Sequence, residues 1–324
     1  MRTRYWITTG VLLALNCGLR ADFESPGIGP DFDALPGGDG ARAWTFWVRG
    51  YVGYDDNVQF VPDGGVIGAD QESGYFGITA EGAYRFMDNG SMDAGVAIRL
   101  DQTFHFDSSG GAVAPDQFDV TVVEPALYLN YRSDGWYGRA TYSHRWEDAD
   151  SAIVGVDSNN IGLMVGTELT GCLQTELSWV HEWDDFDGSG GGVTDRDGER
   201  DRVSLSLIQP GSATAPRMIL RCSYLNNDAD GSNFRYDGYE VMFRVESHLM
   251  DRVDGAVQVT YADLDYSTGA RKEQEIFGAG VQLLYTIDQN WSADFYYNYL
   301  DVDSNASFFR GERNDVGVGL RYEF

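Results

Sequence analysis

Residues 44–54 read Trp44-Thr45-Phe46-Trp47-Val48-Arg49-Gly50-Tyr51-Val52-Gly53-Tyr54. Trp44, Phe46, Val48, Gly50, Val52 and Tyr54 alternate with Thr45, Trp47, Arg49, Tyr51 and Gly53. Successive side chains of a strand point to opposite faces, so this is a strand with one apolar and one polar side. An amphipathic helix would repeat near 3.6 residues instead.

The same period of two continues to the C-terminus. Phe76, Ile78, Ala80 and Tyr84 oppose Glu81 and Arg85, and Val96, Ile98 and Leu100 oppose Arg99 and Asp101. Leu127 and Leu129 oppose Glu124, Ala140 and Tyr142 oppose Arg139 and Arg145, and Leu163 and Val165 oppose Glu168. Leu177 and Trp179 oppose Glu176, Leu220 and Cys222 oppose Arg221, and Val241 and Phe243 oppose Glu240 and Arg244. Counted to the end, there are 14 such segments of about 10–15 residues, where soluble strands average about 5–6 and a tilted membrane strand needs about 9–11. Short connections alternate with long ones. The short set lies near Met87–Gly90, Ser133–Gly135, Gly171–Cys172, Met250–Asp254 and Asp288–Asn290, with Pro210–Pro216 somewhat longer. The long set falls near 55–72, 107–117, 148–158, 185–200, 227–235, 267–274 and 302–311. Such an alternation is the habit of bacterial outer-membrane barrels. The expected fold is therefore all-β, a transmembrane up-and-down antiparallel β-barrel of about 14 strands, with 12 or 16 as alternatives. An even number leaves both termini on the periplasmic side.

Composition narrows the classes. The chain has 324 residues, 43% hydrophobic, 14% aromatic, with 40 Gly. That is too apolar for a disordered chain, and no apolar run is long enough for a helical membrane span. The net charge is -28, which argues against nucleic-acid binding. Three cysteines exclude a disulfide scaffold. Cys172 at a turn and Cys222 within a strand are not expected to pair.

The N-terminus reads as an address. Arg2 and Arg4 precede an apolar stretch from Tyr5 to Leu15, and Ala21 offers a cleavage point. Residues 1–21 are expected to be a signal peptide; the sequence around Cys17 fits a lipidation site poorly. Residues 22–43, rich in Pro, Gly and Asp, are expected to be a flexible periplasmic leader, with a lumenal plug as the alternative. The barrel then spans 44–324.

The C-terminal run Val316-Gly-Val-Gly-Leu-Arg-Tyr-Glu-Phe324 resembles the last strand of Gram-negative outer-membrane β-barrels of the porin-like type. The resemblance implies that Leu320, Tyr322 and Phe324 form the signal read by the barrel-assembly machinery after handling by periplasmic chaperones. Gly53-Tyr-Asp-Asp-Asn-Val58, with Pro62-Asp-Gly-Gly65 following, also resembles the opening of certain porin-like barrels and of the C-terminal barrel of surface lipoprotein assembly modifiers. Those modifiers place a helical-repeat domain before the barrel, and this chain has only the short leader there.

Charge is unevenly placed. The inward faces carry Arg and acid in roughly equal numbers, while acids outnumber bases several-fold in the long connections. The candidate pore-lining residues are Arg49, Glu81, Arg99, Asp101, Glu124, Arg139, Arg145, Glu168, Glu176, Arg221, Glu240 and Arg244. They are expected either to face one another across or along the wall as the transverse field of a diffusion porin, or to pair and hydrate a closed interior. Acidic loops favour cations at the outer mouth. Asp185, Asp187, Asp195, Asp197, Asp228 and Asp230 are candidate ligands for weakly held calcium, although neither loop completes an EF-hand. No other cofactor is expected. His105 above Asp101 suggests a hydrolytic pair at the rim, but without a nucleophile motif the chain is not expected to be an enzyme. The expected function is passive diffusion of small polar or cationic solutes through the outer membrane, with outer-membrane lipid as the surrounding partner. A structural or adhesive surface barrel with acidic, calcium-binding loops is the alternative, and an export conduit for surface proteins a further one.

Overall fold

A computed structural model describes residues 43–57, 72–109, 119–149, 155–186, 196–212, 215–267, 273–305 and 310–324. The segments expected to be a signal peptide, 1–21, and, but for residue 43, a leader, 22–43, lie outside these residues. Fourteen strands follow in chain order: β1 (Trp44–Asp55), β2 (Glu72–Asp88), β3 (Met92–Ser109), β4 (Val120–Ser133), β5 (Trp136–Ala149), β6 (Val156–Thr170), β7 (Leu173–Phe186), β8 (Gly198–Gln209), β9 (Arg217–Ala229), β10 (Tyr236–Met250), β11 (Val253–Tyr266), β12 (Glu273–Thr286), β13 (Trp291–Ser304) and β14 (Gly311–Glu323). Each pairs antiparallel with the next, and β1 pairs with β14, so the sheet closes with no free edge. Closure is what allows a sheet to cross a bilayer, because every backbone polar group then finds a partner within the wall.

Extending the strand registers once around the barrel returns to β1 about 18 residues further along. That stagger, with fourteen strands, sets a tilt of ~40° and a backbone diameter of ~28 Å. The seam between β1 and β14 runs from Trp47 opposite Glu323 to Asp55 opposite Asp315.

The outward face is apolar and exposed, as the alternation required. Val52, Ile78, Ile98, Leu127, Leu163, Leu205, Val241, Val257 and Val318 all point away from the lumen. Aromatic residues close this band at both ends. Trp44, Tyr84, Trp136, Tyr285 and Trp291 lie toward the short turns, and Tyr54, Phe76, Phe104, Trp146 and Tyr239 toward the long connections. Girdles of this kind flank the hydrocarbon band of membrane barrels.

The short turns carry their own chemistry. Gly135 takes a φ of 75°, which costs glycine little. Arg252 takes a φ of 66° in the turn joining β10 to β11, a conformation costly for a residue with a side chain. Phe324 closes the chain: its N–H donates to the Phe46 carbonyl at 3.0 Å, and its ring lies 5.0 Å from Phe46 and 4.7 Å from Tyr322.

Candidate functional site: the inner wall

Strand parity puts all twelve candidate lumen residues on the inward face. Eleven sit along the wall. Glu168 is exposed beside the β6–β7 turn, next to a register irregularity, so it belongs to the mouth.

The charges on the wall are interleaved with their partners. Arg99 lies 3.8 Å from Glu81 and 3.7 Å from Asp101. Arg145 pairs with Glu147, and Arg221 lies 3.7 Å from Glu240. Arg244 donates to Glu246 at 2.7 Å and to Gln258 at 3.3 Å. Glu124 accepts from Ser143 at 3.0 Å, and Glu176 from Tyr137 at 2.9 Å. Arg139 donates to Asn130 at 2.8 Å, which in turn donates to Asp93 at 2.9 Å. Apart from Tyr137 on β5, which reaches over Gly166 on β6 to Glu176 on β7, these contacts join a strand to itself or to its immediate neighbours. Opposite charges alternate along the wall. Short separation explains this, since the attraction between neighbours a few ångströms apart outweighs any field across a lumen of ~28 Å.

The densest part of the site lies at the seam. Arg49 on β1 reaches over β14 to grip both carboxylate oxygens of Asp294 on β13, with Nε to Oδ2 at 2.9 Å. The bridge passes over Gly319, which has no side chain to obstruct it. The guanidinium also lies 4.8 Å from the Tyr51 ring and 5.5 Å from the Tyr296 ring. Tyr75 on β2 donates to Asp315 and accepts from Tyr296, 2.5 Å away. Tyr51 meets Asp101 at 3.2 Å and Thr103 at 3.0 Å, and Thr79 donates to Asp101 at 2.9 Å. Higher on the seam, Arg313 pairs with Asp55.

Tyrosine and glycine are matched between β1 and β2, beside this seam. Tyr51 is opposite Gly77 and Tyr75 is opposite Gly53, so each ring lies flat on the space its neighbour leaves. A Cβ at either glycine would overlap the ring. Tyr296 over Gly317, Tyr128 over Gly95 and Tyr137 over Gly166 repeat the device.

A second charged group lies on β6–β8. Arg200 sits between Glu182, at 2.9 Å, and Asp184, at 2.7 Å, and Ser158 donates to Asp184 at 2.6 Å.

The inner wall is not polar throughout, contrary to what the alternation led us to expect. Toward the long connections, Ala262, Leu264, Tyr266, Ile276, Leu300 and Val302 form a buried apolar cluster on β11–β13, with Leu225 and Tyr236 packed against it. Nearer the short turns, Ile208, Ile219 and Met242 form another. Around this second cluster the strands are apolar on both faces, with Leu207, Leu220, Val241 and Phe243 outward, and a period of two cannot reveal a second apolar face when the first already accounts for the pattern.

Four of the six calcium candidates are among the described residues. Asp185 points outward on β7. Asp197 accepts the Phe186 N–H at 2.8 Å, its carbonyl accepts the Asp230 N–H at 2.6 Å, and Asp228 lies 3.3 Å from Arg235. Asp187 and Asp195 lie outside the described residues. Among the described residues no three His, Cys, Asp or Glu side chains are grouped to hold a metal. His105 faces Asp119, 3.8 Å from its imidazole, with the Tyr75 ring 5.7 Å away.

Wall residues outside the twelve candidates include Tyr51, Tyr75, Tyr296, Asp294 and Asp315 by the seam, and Glu182, Asp184 and Arg200 on β7 and β8. A signal for the first two was present. Tyr51-Val-Gly53 and Tyr75-Phe-Gly77 place Tyr and Gly two apart on consecutive strands, the spacing a reciprocal cross-strand fit needs.

A family model described as "Putative beta-barrel porin 2" matches residues 213–324. Among curated proteins none matches the chain in sequence. Solved barrels resemble it in shape. A TodX monoaromatic hydrocarbon channel lacking two segments aligns with a TM-score of 0.50 and 10% identity, covering 88% of this chain and 91% of that one. A loop-deleted OmpT, an outer membrane protein of Vibrio cholerae, aligns at 0.49 with 13% identity, covering 87% and 100%. An anion-selective porin from Comamonas acidovorans aligns at 0.45 with 12% identity, covering 87% and 98%. The likeness to the TodX barrel agrees with the closed antiparallel barrel read from the alternation.

Proposed function

We propose that this chain is an outer-membrane channel through which small polar or cationic solutes diffuse. The observation that carries the reading is the two-faced wall. An apolar band between aromatic girdles fits a bilayer, and the face behind it holds ion pairs that are costly unless hydrated or closely matched. The family-model match over the last third of the chain supports the same reading. The start of β1, the end of β14 and the short turns lie at one end, which we assign to the periplasm; Leu320, Tyr322 and Phe324 then serve as the assembly signal. The seam residues Arg49, Tyr51, Tyr75, Asp294 and Tyr296 narrow the path from one side, and the acidic long connections draw cations to the opposite mouth.

Conductance of the refolded mature chain across a planar bilayer tests this, with a salt gradient to read ion preference. Steady steps with cation preference are expected. A heat-modifiable, folded barrel that passes no current would overturn the channel reading.

A further inference from the structure

One part of the outward face departs from the apolar band. Tyr142, His144 and Trp146 on β5, Asp157 and Asn159 on β6, Trp179, His181 and Trp183 on β7, and Glu199 and Asp201 on β8 share that face by parity. Register gathers them, with His144 opposite Asn159, Trp183 opposite Asn159 and Glu199, and His181 opposite Asp201. Asn159 Oδ1 lies 2.9 Å from both the Tyr142 hydroxyl and His144 Nδ1. Asp201 Oδ1 lies 2.9 Å from Trp179 Nε1 and from His181 Nδ1. His181 Nε2 is 3.9 Å from Glu199. The imidazole stands between two indoles, 5.7 Å from Trp179 and 4.2 Å from Trp183, and His144 meets Trp146 at 4.1 Å.

On β1, β2, β10 and β11 the position one step inside the long-connection girdle is apolar, Val52 inside Tyr54, Ile78 inside Phe76, Val241 inside Tyr239 and Val259 inside Tyr261, and on β3 it is the uncharged Gln102 inside Phe104. Among the described strands, His and carboxylate take this level on β5, β7 and β8 alone. An ionisable side chain on a membrane-facing surface is costly and marks a site of interaction.

The chemistry of the patch selects its occupant. It offers exposed aromatic faces, with Tyr142 and Trp146 more than 40% exposed, and oxygen acceptors. Both bonds to Asp201 fall on Oδ1, leaving Oδ2 for a ligand. No Lys or Arg points outward on β5–β8, so a phosphate finds no cation. Rings carrying hydroxyls suit it: apolar ring faces stack on aromatic side chains, and hydroxyls donate to carboxylate and carboxamide oxygens. Directly below, Leu163, Val165, Leu177, Val203 and Leu205 form an exposed apolar strip in the same columns. A second copy of the chain fits less well, because facing copies would bring Asp157, Asp185, Glu199 and Asp201 against their equivalents.

We propose that the β5–β8 face binds a membrane glycolipid, its sugar head on Asp201, Glu199, Asn159, Trp146 and Trp183 and its acyl chains along the apolar strip. The proposal rests on the membrane placement above and not on conduction.

The test is lipid retention by the folded full chain in nanodiscs holding equal amounts of a neutral diglucosyl diacylglycerol, phosphatidylglycerol and phosphatidylcholine, read by native mass spectrometry. The wild type is expected to retain the glycolipid about tenfold over the other two, a preference of about 1.4 kcal/mol. Asp201→Ala and Trp183→Leu should each abolish the preference while heat-modifiability stays unchanged; Val318→Ala, on β14 across the barrel, should preserve it. Equal retention of all three lipids by the wild type, or a preference that survives both substitutions, would overturn the proposal. So would a stable dimer that Trp183→Leu dissolves, which would assign the face to a second copy.

Discussion

The seam and the β11–β13 lining face the same lumen and hold it by opposite means. At the seam, Arg49 and Asp294 stand 245 positions apart in the chain, and Tyr75 and Tyr296 stand 221 apart. The lining joins Ala262, Leu264, Ile276, Leu300 and Val302, all from three consecutive strands. Strands adjacent in sequence find each other through short connections, and non-directional apolar burial is enough to hold them. The chain ends must meet across the whole sequence, at a high entropic cost. A one-residue slip there would turn every side chain of the closing strand to the other face. Directional bonds penalise such a slip, because Arg49 reaches both oxygens of Asp294 in only one register. The seam supplies specificity and the lining supplies burial.

The sharpest way to break this contrast is to fill the space under a seam tyrosine. Gly77→Val would drive a branched side chain into the Tyr51 ring and pull its hydroxyl from Asp101 and Thr103. Overpacking and two lost hydrogen bonds together should cost about 4 kcal/mol. The readout is the urea midpoint of the folded, fast-migrating form. Adding Tyr51→Ala to Gly77→Val should recover part of the loss. If the single variant matches wild type, the tyrosine–glycine fit is not what holds the seam.

Next comes Asp294→Ala, which leaves Arg49 on the wall without its bidentate partner. Removing one member of a largely buried pair should cost about 3 kcal/mol. Because an uncompensated guanidinium then faces the lumen, reversal potentials should also move toward anions. Leu300→Ala makes the matching test on the lining. It should cost about 2–3 kcal/mol through a cavity, with ion preference unchanged. A selectivity change from Leu300→Ala as large as that from Asp294→Ala would erase the distinction between the two regions.

The sequence made one of these regions legible and hid the other. Strand number, strand faces and turn positions followed from alternation, because a wall with lipid on one side must repeat every two residues. The inward direction of Arg49, Arg99, Glu124 and Arg244 followed from the same rule. Their partners did not, since which Arg meets which acid depends on register, and register between β1 and β14 is set by closure. Asp294 therefore looked like any inward acid, although it anchors the seam. The apolar lining stayed hidden for the complementary reason. Ala262, Leu264 and Ile276 lie next to Asp263, Asp265 and Glu275, which point outward above the girdle, so near the long connections apolar residues face in and acids face out. Alternation is preserved there while its meaning inverts, and only the height along the barrel separates the two cases.

The smallest effect expected is at a turn. Arg252 holds a φ of 66° at the base of the β10–β11 hairpin, among the strands that pair locally. Left-handed backbone costs a side-chain-bearing residue about 1–2 kcal/mol. Arg252→Gly removes that cost, returns about 0.5–1 kcal/mol through the greater freedom of the unfolded chain, and gives up an exposed bond from the guanidinium to the Ile287 carbonyl at 3.1 Å. The balance is a gain of about 0.5 kcal/mol in the urea midpoint. The gain should add to the loss from Asp294→Ala in the double variant, because the turn and the seam share no partner. Non-additivity would mean that the β10–β11 hairpin and the closing strands are coupled, and that local pairing and closure are one event.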